Sequence, residues 1–481
     1  MVKEQSIKKN FIYQASYEIL LMILPLITSP YVSRLLGASN IGIYSYTYSI
    51  VYYFTLFAAL GIKNYGNREI SRVRDDKTKL NKTFSEILFL HIAVSLLVIL
   101  IYLVYIFVIA QEYQVYYLIQ SLYLLGTLLD ISWLFFGLEL FKVTVMRNAI
   151  IRIVSAVSIF VFIRTSDDLW KYILILAVAN FASQAYLWFV IKSLVKIVSV
   201  DGRAIMKHLP QLVILFVPTI AVSLYNYMDK VMLGTISSKI QLGYYENAFK
   251  ITTICSSLIG SVGTVMLPRM SNLAAGDRVD ESRRYIRLSM EGVAIIACAM
   301  AFGLAAIAKR FAPFFWGKGF SASGTLLMLL SIYLPIQGFA NVLRTQYLIP
   351  NRKDKQYTIS LCIGAMINLV INYMLIPKLG AMGAAIGTVL AETAVCIVQV
   401  IYSMKELPVG YYVTNNIPYI IFGGIMFACI KLMEHYIKFS VLSLLMEIFV
   451  GAVIYLIFNI MYRYIKKDEL YYMIAKVIKK N

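Results

Sequence analysis

The stretch "RLLGASNIGIYSY", Arg34–Tyr46, is echoed about two hundred residues later by "VMLGTISSKIQLGYYENAF", Val231–Phe249. Both read Leu-Gly, a short polar stretch, then Gly and the tyrosine-bearing start of an apolar run. The spacing from Gly42 to Arg68 equals that from Gly243 to Arg269, and Tyr44 and Tyr245 keep the same offset. Such a repeat is the mark of a duplicated multi-helix unit.

The composition around the repeat sets the solvent. Of 481 residues, 60% are hydrophobic and 15% charged, against about 25% charged in a soluble chain. Apolar runs near the roughly 20 residues that span a bilayer recur to the end of the chain. Lipid leaves no backbone unpaired, and runs without two-residue alternation favour helices over a barrel. The expected fold class is therefore an all-α polytopic membrane protein. Fourteen transmembrane helices are expected, near 11–35, 42–62, 85–109, 115–138, 148–164, 171–191, 211–234, 244–266, 288–308, 324–343, 358–376, 382–403, 416–433 and 440–461. The apolar stretch after "MVKEQSIKKNFIY" is too long for a signal peptide and reads as a retained first span.

Short cytoplasmic loops carry an excess of Lys and Arg. With the N-terminus inside, inside segments hold 32 of the 45 and outside segments 11, while Arg152 and Lys250 fall within spans. Both termini are thus expected in the cytoplasm. The net charge of +20 follows from this topology and from attraction to anionic membrane lipids; no nucleic-acid partner is expected. Cys255, Cys298, Cys362, Cys396 and Cys429 lie in apolar spans and suggest neither disulfides nor a metal site. His91, His208 and His435 stand isolated from each other and from the cysteines. No cofactor and no metal are expected.

The repeat divides the chain into 1–200, an N-terminal six-helix lobe; 201–403, a C-terminal six-helix lobe; and 404–481, two peripheral helices with a basic, amphipathic cytoplasmic tail. Six spans return the chain to the same side, so the lobes are related by an axis along the membrane normal. Pro25 and Pro30 in the first span, and Pro210 and Pro218 in the seventh, are candidate kinks and gates. Proline is also common in membrane helices without such a role.

Several stretches carry a resemblance. "SPYVSRLLGASNIGIYSY", "DKVMLG…GYYENAFKI", "LPRMS" and "RTQYLIPNRKDKQYT" followed by "NLVINYMLIPKLGAMGAAIGT" resemble the Wzx-type polysaccharide repeat-unit flippases. Their superfamily also holds multidrug and toxic-compound extruders and lipid II flippases. The resemblance implies two pseudo-symmetric six-helix lobes around a central cavity, with two extra C-terminal helices. It also implies a bacterial cytoplasmic-membrane location and a substrate, an oligosaccharide unit on undecaprenyl diphosphate, moved outward by alternating access. Other polysaccharide assembly proteins are implied partners. The coupling ion, H⁺ or Na⁺, stays open. A cation-coupled drug extruder and a lipid II flippase are the sibling alternatives, and a membrane polymerase or glycosyltransferase a remote one. No nucleophile–base pair suggests catalysis.

Ionisable side chains inside membrane spans cost a few kcal/mol and mark function. Lys250 lies deep in the eighth span; it either contacts the diphosphate or pairs with Glu246, one turn earlier. Arg34 ends the first span, its guanidinium suited to phosphate or to the outer surface. Asp229 and Lys230 are adjacent, so they point about 100° apart on a helix. Arg152 and Arg344 near inner span ends fit topology or salt bridges, and Lys63 and Arg68 open a basic loop. Glu18, Asp130, Glu139, Glu291 and Glu392 are the acidic counterparts. Tyr44, Tyr48 and Tyr52 share one helix face, a platform for pyranose rings or an interfacial stripe. Asn368 with Asn372, and Gln337 with Asn341, could bind sugar hydroxyls or hold helices together. The small residues of "GAMGAAIGT" fit close helix packing.

Overall fold

The computed structural model describes residues 7–467 and Tyr472, without the side chains at 7–16, 18, 217, 218, 221 and 225. The expected amphipathic tail lies, from 468 on, outside the described residues apart from Tyr472. The described residues form helices and no strand. They divide into two compact units, 1–234 and 235–481.

The first unit opens with α1, Ile7–Ala59, two helical arms joined where Gly37 leaves helical geometry (φ 76°, ψ 172°). A residue with a Cβ is strained there. Backbone dihedrals stay helical through Pro25 and Pro30, so the sharp break lies after the prolines rather than at them. Leu60 and Gly61, both with positive φ, turn the chain into α2, Ile62–Val73. This segment corrects the expectation of a basic loop. Ile62, Tyr65 and Ile70 fall on one buried face, while its arginines face outward, the pattern of an amphipathic helix.

Next come α3, Lys77–Val108; α4, Gln114–Leu128; α5, Ser132–Gly137; α6, Phe141–Phe162; α7, Leu169–Val190; α8, Gly202–Met206; and α9, Leu209–Ile236, whose last two residues belong to the second unit. Pro218 falls within α9, its side chain outside the described ones. One core packs Ile62, Phe84, Trp133, Leu187 and Leu212; another packs Val51, Tyr102, Tyr117 and Leu124. Outward faces are apolar, with Leu100 and Phe189 exposed, whereas Ser49, Ser95 and Gln120 are buried. Lipid reverses the usual distribution in this way.

The second unit contains α10, Lys239–Ala275; α11, Val279–Trp316; α12, Ser321–Leu330; α13, Tyr333–Leu343; α14, Asp354–Leu379; α15, Ala381–Ser403; α16, Val409–Tyr436; and α17, Val441–Lys466. A π-helical turn, Arg344–Leu348, follows α13. Gly380 (φ 56°) makes the tight turn between α14 and α15. A Cβ on Gly383 would stand 2.6 Å from the Leu375 backbone, so "GAMGAAIGT" is a close-packing face.

Among the described residues eleven helices are long and apolar enough to cross a membrane, or twelve when the pair bent by 43° around Ser331–Ile332 is taken as one span. Fourteen were expected. The difference falls at α1, where two expected spans join across Gly37, and at α9, part of which lies outside the described side chains. The protein is a multi-pass membrane protein.

Candidate functional site

Helical spacing puts Tyr44, Tyr48 and Tyr52 on one face of α1's second arm, and their rings form a row. Centroids are 5.7 Å apart for Tyr44–Tyr48 and 6.4 Å for Tyr48–Tyr52. Other elements of the first unit extend it. Tyr172 of α7 meets Tyr44 edge-on at 5.1 Å, and Tyr123 of α4 meets Tyr48 at 5.2 Å. Tyr227 of α9 stacks on Tyr52 at 3.8 Å with planes 18° apart. The Tyr52 hydroxyl lies 3.4 Å from Ser223 Oγ.

Charge adjoins this row. Lys230 Nζ sits 5.2 Å over the Tyr227 ring, where the ring quadrupole attracts a cation. Asp229, its neighbour in sequence, is buried and acts electrostatically on Tyr53. The angular separation expected for adjacent helix residues thus sends them to different surroundings. Together the half-buried tyrosines and Lys230 offer ring faces and one ammonium, chemistry that suits sugar rings and an anionic group.

The structure brings Tyr44, Tyr48, Tyr52, Asp229 and Lys230 together in the first unit. Arg34 is exposed on α1's first arm, three residues before the Gly37 break. Lys250 is half-buried on α10 in the second unit. Tyr245, close to it in sequence, is buried with its hydroxyl 2.8 Å from Thr388 Oγ1. Asn368 and Asn372 are fully buried between α14 and α15. Asn372 Nδ2 donates to Asn368 Oδ1 at 3.1 Å, and a Cβ on Gly387 would meet Asn372 Oδ1 at 2.1 Å. Both residues lie on α14, and Asn372 packs closely against Gly387 of α15. Pro25 and Pro30 lie half-buried in regular helix.

Sequence reasoning missed Tyr123, Tyr172, Ser223 and Tyr227. Only Tyr227 carried a signal, standing three residues before Lys230 on one helix face. Outside the spans, Lys353 and the Tyr347 hydroxyl hold the Glu406 carboxyl below its ordinary range. Among the described residues no group of three or more His, Cys, Asp or Glu is placed to hold a metal.

Comparison with known proteins places the chain. The sequence profile of the polysaccharide biosynthesis protein family matches residues 7–274, and that of lipid II flippase MurJ matches residues 173–474. A putative O-antigen transporter of Escherichia coli (strain K12) is 24% identical over 81% of this chain and 95% of its own. The fold matches lipid II flippase MurJ in an inward closed conformation, with TM-score 0.77 and 16% identity over 94% of this chain and all of that one. It also matches an inward-facing multidrug resistance MATE family transporter of the MOP superfamily, with TM-score 0.63 and 15% identity over 87% of this chain and 98% of that one. Matched over more than half of its length by its sequence profile, the chain belongs to the polysaccharide biosynthesis protein family, and the overlapping lipid II flippase MurJ profile covers most of the rest.

Proposed function

We propose that this protein is a flippase carrying an undecaprenyl-diphosphate-linked oligosaccharide unit from the inner to the outer leaflet of a bacterial cytoplasmic membrane. It works by alternating access, with both termini cytoplasmic and no covalent step. Other polysaccharide assembly proteins are its proposed partners. The observation that carries this reading is the tyrosine row ending at Lys230, in a chain similar to a putative O-antigen transporter. Tyrosine faces suit pyranose rings, and the Lys230 ammonium suits phosphate oxygens; Arg34 of the same unit and, separately, Lys250 of the second are further candidate cations. Tyr52 spends one face on Tyr227, so a sugar stacking on Tyr52 from that side requires the two rings to part.

An outward-moving diphosphate of about −2 charge gains roughly 5 kcal/mol from a 100 mV inside-negative potential. The test is transport in proteoliposomes, with undecaprenyl-diphosphate oligosaccharide and a cationic dye compared at imposed potential. Wild type moves the glycolipid, and Lys230→Ala and Lys250→Ala each lower its rate about 10- to 100-fold, as loss of a charged hydrogen bond predicts. The second reading, a cation-coupled drug extruder, rests on the buried carboxylate of Asp229. Dye efflux without glycolipid movement would establish it instead.

A further inference from the structure

The segment from Leu194 to His208, which leads from α7 through α8 into α9, is tied to α2 and α3 by side chains. The Lys196 N–H donates to Asn81 Oδ1 and the Val198 N–H to Ser85 Oγ, each at 2.9 Å. These two acceptors stand one turn apart on α3. The last fastening is His208, the residue before α9. Its Nδ1 lies 2.5 Å from the Tyr65 hydroxyl of α2, and its Nε2 lies 3.0 Å from Glu86 Oε2 of α3. Tyr65 and Glu86 are buried, and the His208 side chain is 13% exposed. One turn into α9, Gln211 Oε1 accepts from Arg68 Nη2 at 3.1 Å. Every member belongs to the first unit.

A carboxylate only accepts, so His208 donates its Nε2–H to Glu86. The other nitrogen meets a hydroxyl, which can donate or accept. As a neutral ring, His208 accepts the Tyr65 O–H at Nδ1; as an imidazolium, it donates from Nδ1 to the Tyr65 oxygen. Both bonds therefore survive a change of charge. What protonation adds is an ion pair with Glu86, and a pair this sheltered from water is weakly screened. The other charged groups around His208 are accounted for. On α2, Glu69 is bonded to Arg68 and Arg72, and the Arg68 guanidinium lies 5.4 Å over the Tyr65 ring. Lys82, one turn before Glu86 on α3, is exposed, as are Arg203 and Lys207 of the connecting segment. α9 has no charged residue before Asp229.

The hold matters because of what α9 carries. The helix runs on from Leu209 to Ile236 and brings Ser223, Tyr227 and Lys230 to the tyrosine row, Tyr227 standing about 28 Å along the axis from His208. A helix transmits the placement of its first turn to its later ones, so His208, Tyr65 and Glu86 bear on where Tyr227 and Lys230 stand without touching either. Histidine is the side chain that ordinarily changes charge between pH 5 and 8. Protonated, it grips Glu86 by an ion pair; neutral, it keeps only the two hydrogen bonds.

We propose that Tyr65, His208 and Glu86 form a proton-sensitive latch on the start of α9, His208 taking the proton, and that the latch positions Tyr227 and Lys230 for transport. The positioning role rests on the flippase reading; the latch does not. In imidazole-¹⁵N NMR of the full chain in nanodiscs, the signal lost in His208→Gln identifies the ring. It is expected to pass from neutral to imidazolium between about pH 8 and 5, at a lower midpoint in Glu86→Gln than in wild type. Hydrogen exchange of the amides at 196–212, corrected for its intrinsic pH dependence, is expected to be several-fold slower at pH 6 than at pH 8 in wild type and alike at both in His208→Gln. A His208 that stays neutral, a midpoint that Glu86→Gln leaves in place, or wild-type exchange alike at both pH values overturns the latch. In proteoliposomes with equal pH on both sides and a fixed potential, wild-type glycolipid movement is expected to be several-fold faster at pH 6 than at pH 8, and that of His208→Gln to differ far less. Wild-type movement indifferent to pH, or a dependence that His208→Gln keeps, overturns the positioning role. No movement by any form at either pH overturns the flippase reading, with NMR and exchange still deciding the latch.

Discussion

Both units bury charge, but they treat it differently. In the second, Glu291 of α11 is 4% exposed and Arg463 of α17 is 5% exposed. Arg463 Nη1 donates to Glu291 Oε2 at 3.0 Å and Nη2 to the Tyr419 hydroxyl, while Asn415 covers the other Glu291 oxygen. Toward the other end of α11, Arg310 is held by Glu447, Glu434 and the Ile437 carbonyl. These networks are closed, and they dock α16 and α17 on α11. In the first unit, the buried His91 ring nitrogens and Arg147 Nη1 have no hydrogen-bond partner among the described residues. Closed charge networks fix packing. Buried polar atoms left open carry a cost that packing alone does not explain.

The largest way to break this contrast is Arg463→Ala. It strands Glu291 in the core and should cost about 3–5 kcal/mol, seen as a large fall in melting temperature of the purified protein. Glu291→Leu with Arg463→Met should recover most of that loss, since an apolar pair of similar volume replaces a desolvated one. If the double variant melts as low as the single, specific geometry rather than charge burial holds α17.

His91→Leu should do the opposite. It removes two unpaired buried nitrogens, so stability is expected to hold or rise by up to about 1–3 kcal/mol. A marked fall in thermal denaturation would show that His91 is a packing residue and erase the difference between the units.

Gly383→Ala tests how far the second unit is fixed by close approach. The new methyl would press on the Leu375 backbone, which cannot rotate aside, and overpacking of this kind costs about 1–3 kcal/mol.

The smallest effect is expected at the Lys353–Glu406 pair outside the spans. Glu406 is half-exposed, so Glu406→Gln should cost less than about 1 kcal/mol at neutral pH. Because the folded carboxyl titrates below its ordinary range, its contribution is present above the unfolded value near 4.3 and is lost as pH falls through the folded one. Melting curves of wild type and variant should therefore converge as the pH is taken below the range in which the folded carboxyl titrates.

Much of this was legible in the chain. Apolar runs of membrane length located the helices, and the four-residue spacing of Tyr44, Tyr48 and Tyr52 placed them on one face, because both are consequences of local helix geometry. Asp130 and Glu291 stood out alike as carboxylates inside spans. Nothing local separates them: one faces an arginine 172 residues away, the other accepts from the Ser132 N–H at the break between α4 and α5. The basic stretch after Gly61 read as a loop because its charge outweighed the spacing of Ile62, Tyr65 and Ile70.

The sequence by itself determined the solvent, the helices and which side chains share a helix face, since hydropathy and a 3.6-residue period act over short range. Only the tertiary structure decided that Tyr227 stacks on Tyr52, that Asn372 packs against Gly387 of α15, and that Glu291 pairs with Arg463. Partner choice depends on which helix faces pack together, and lipid, as apolar as the helix surfaces it touches, leaves that choice to shape and to buried polar groups.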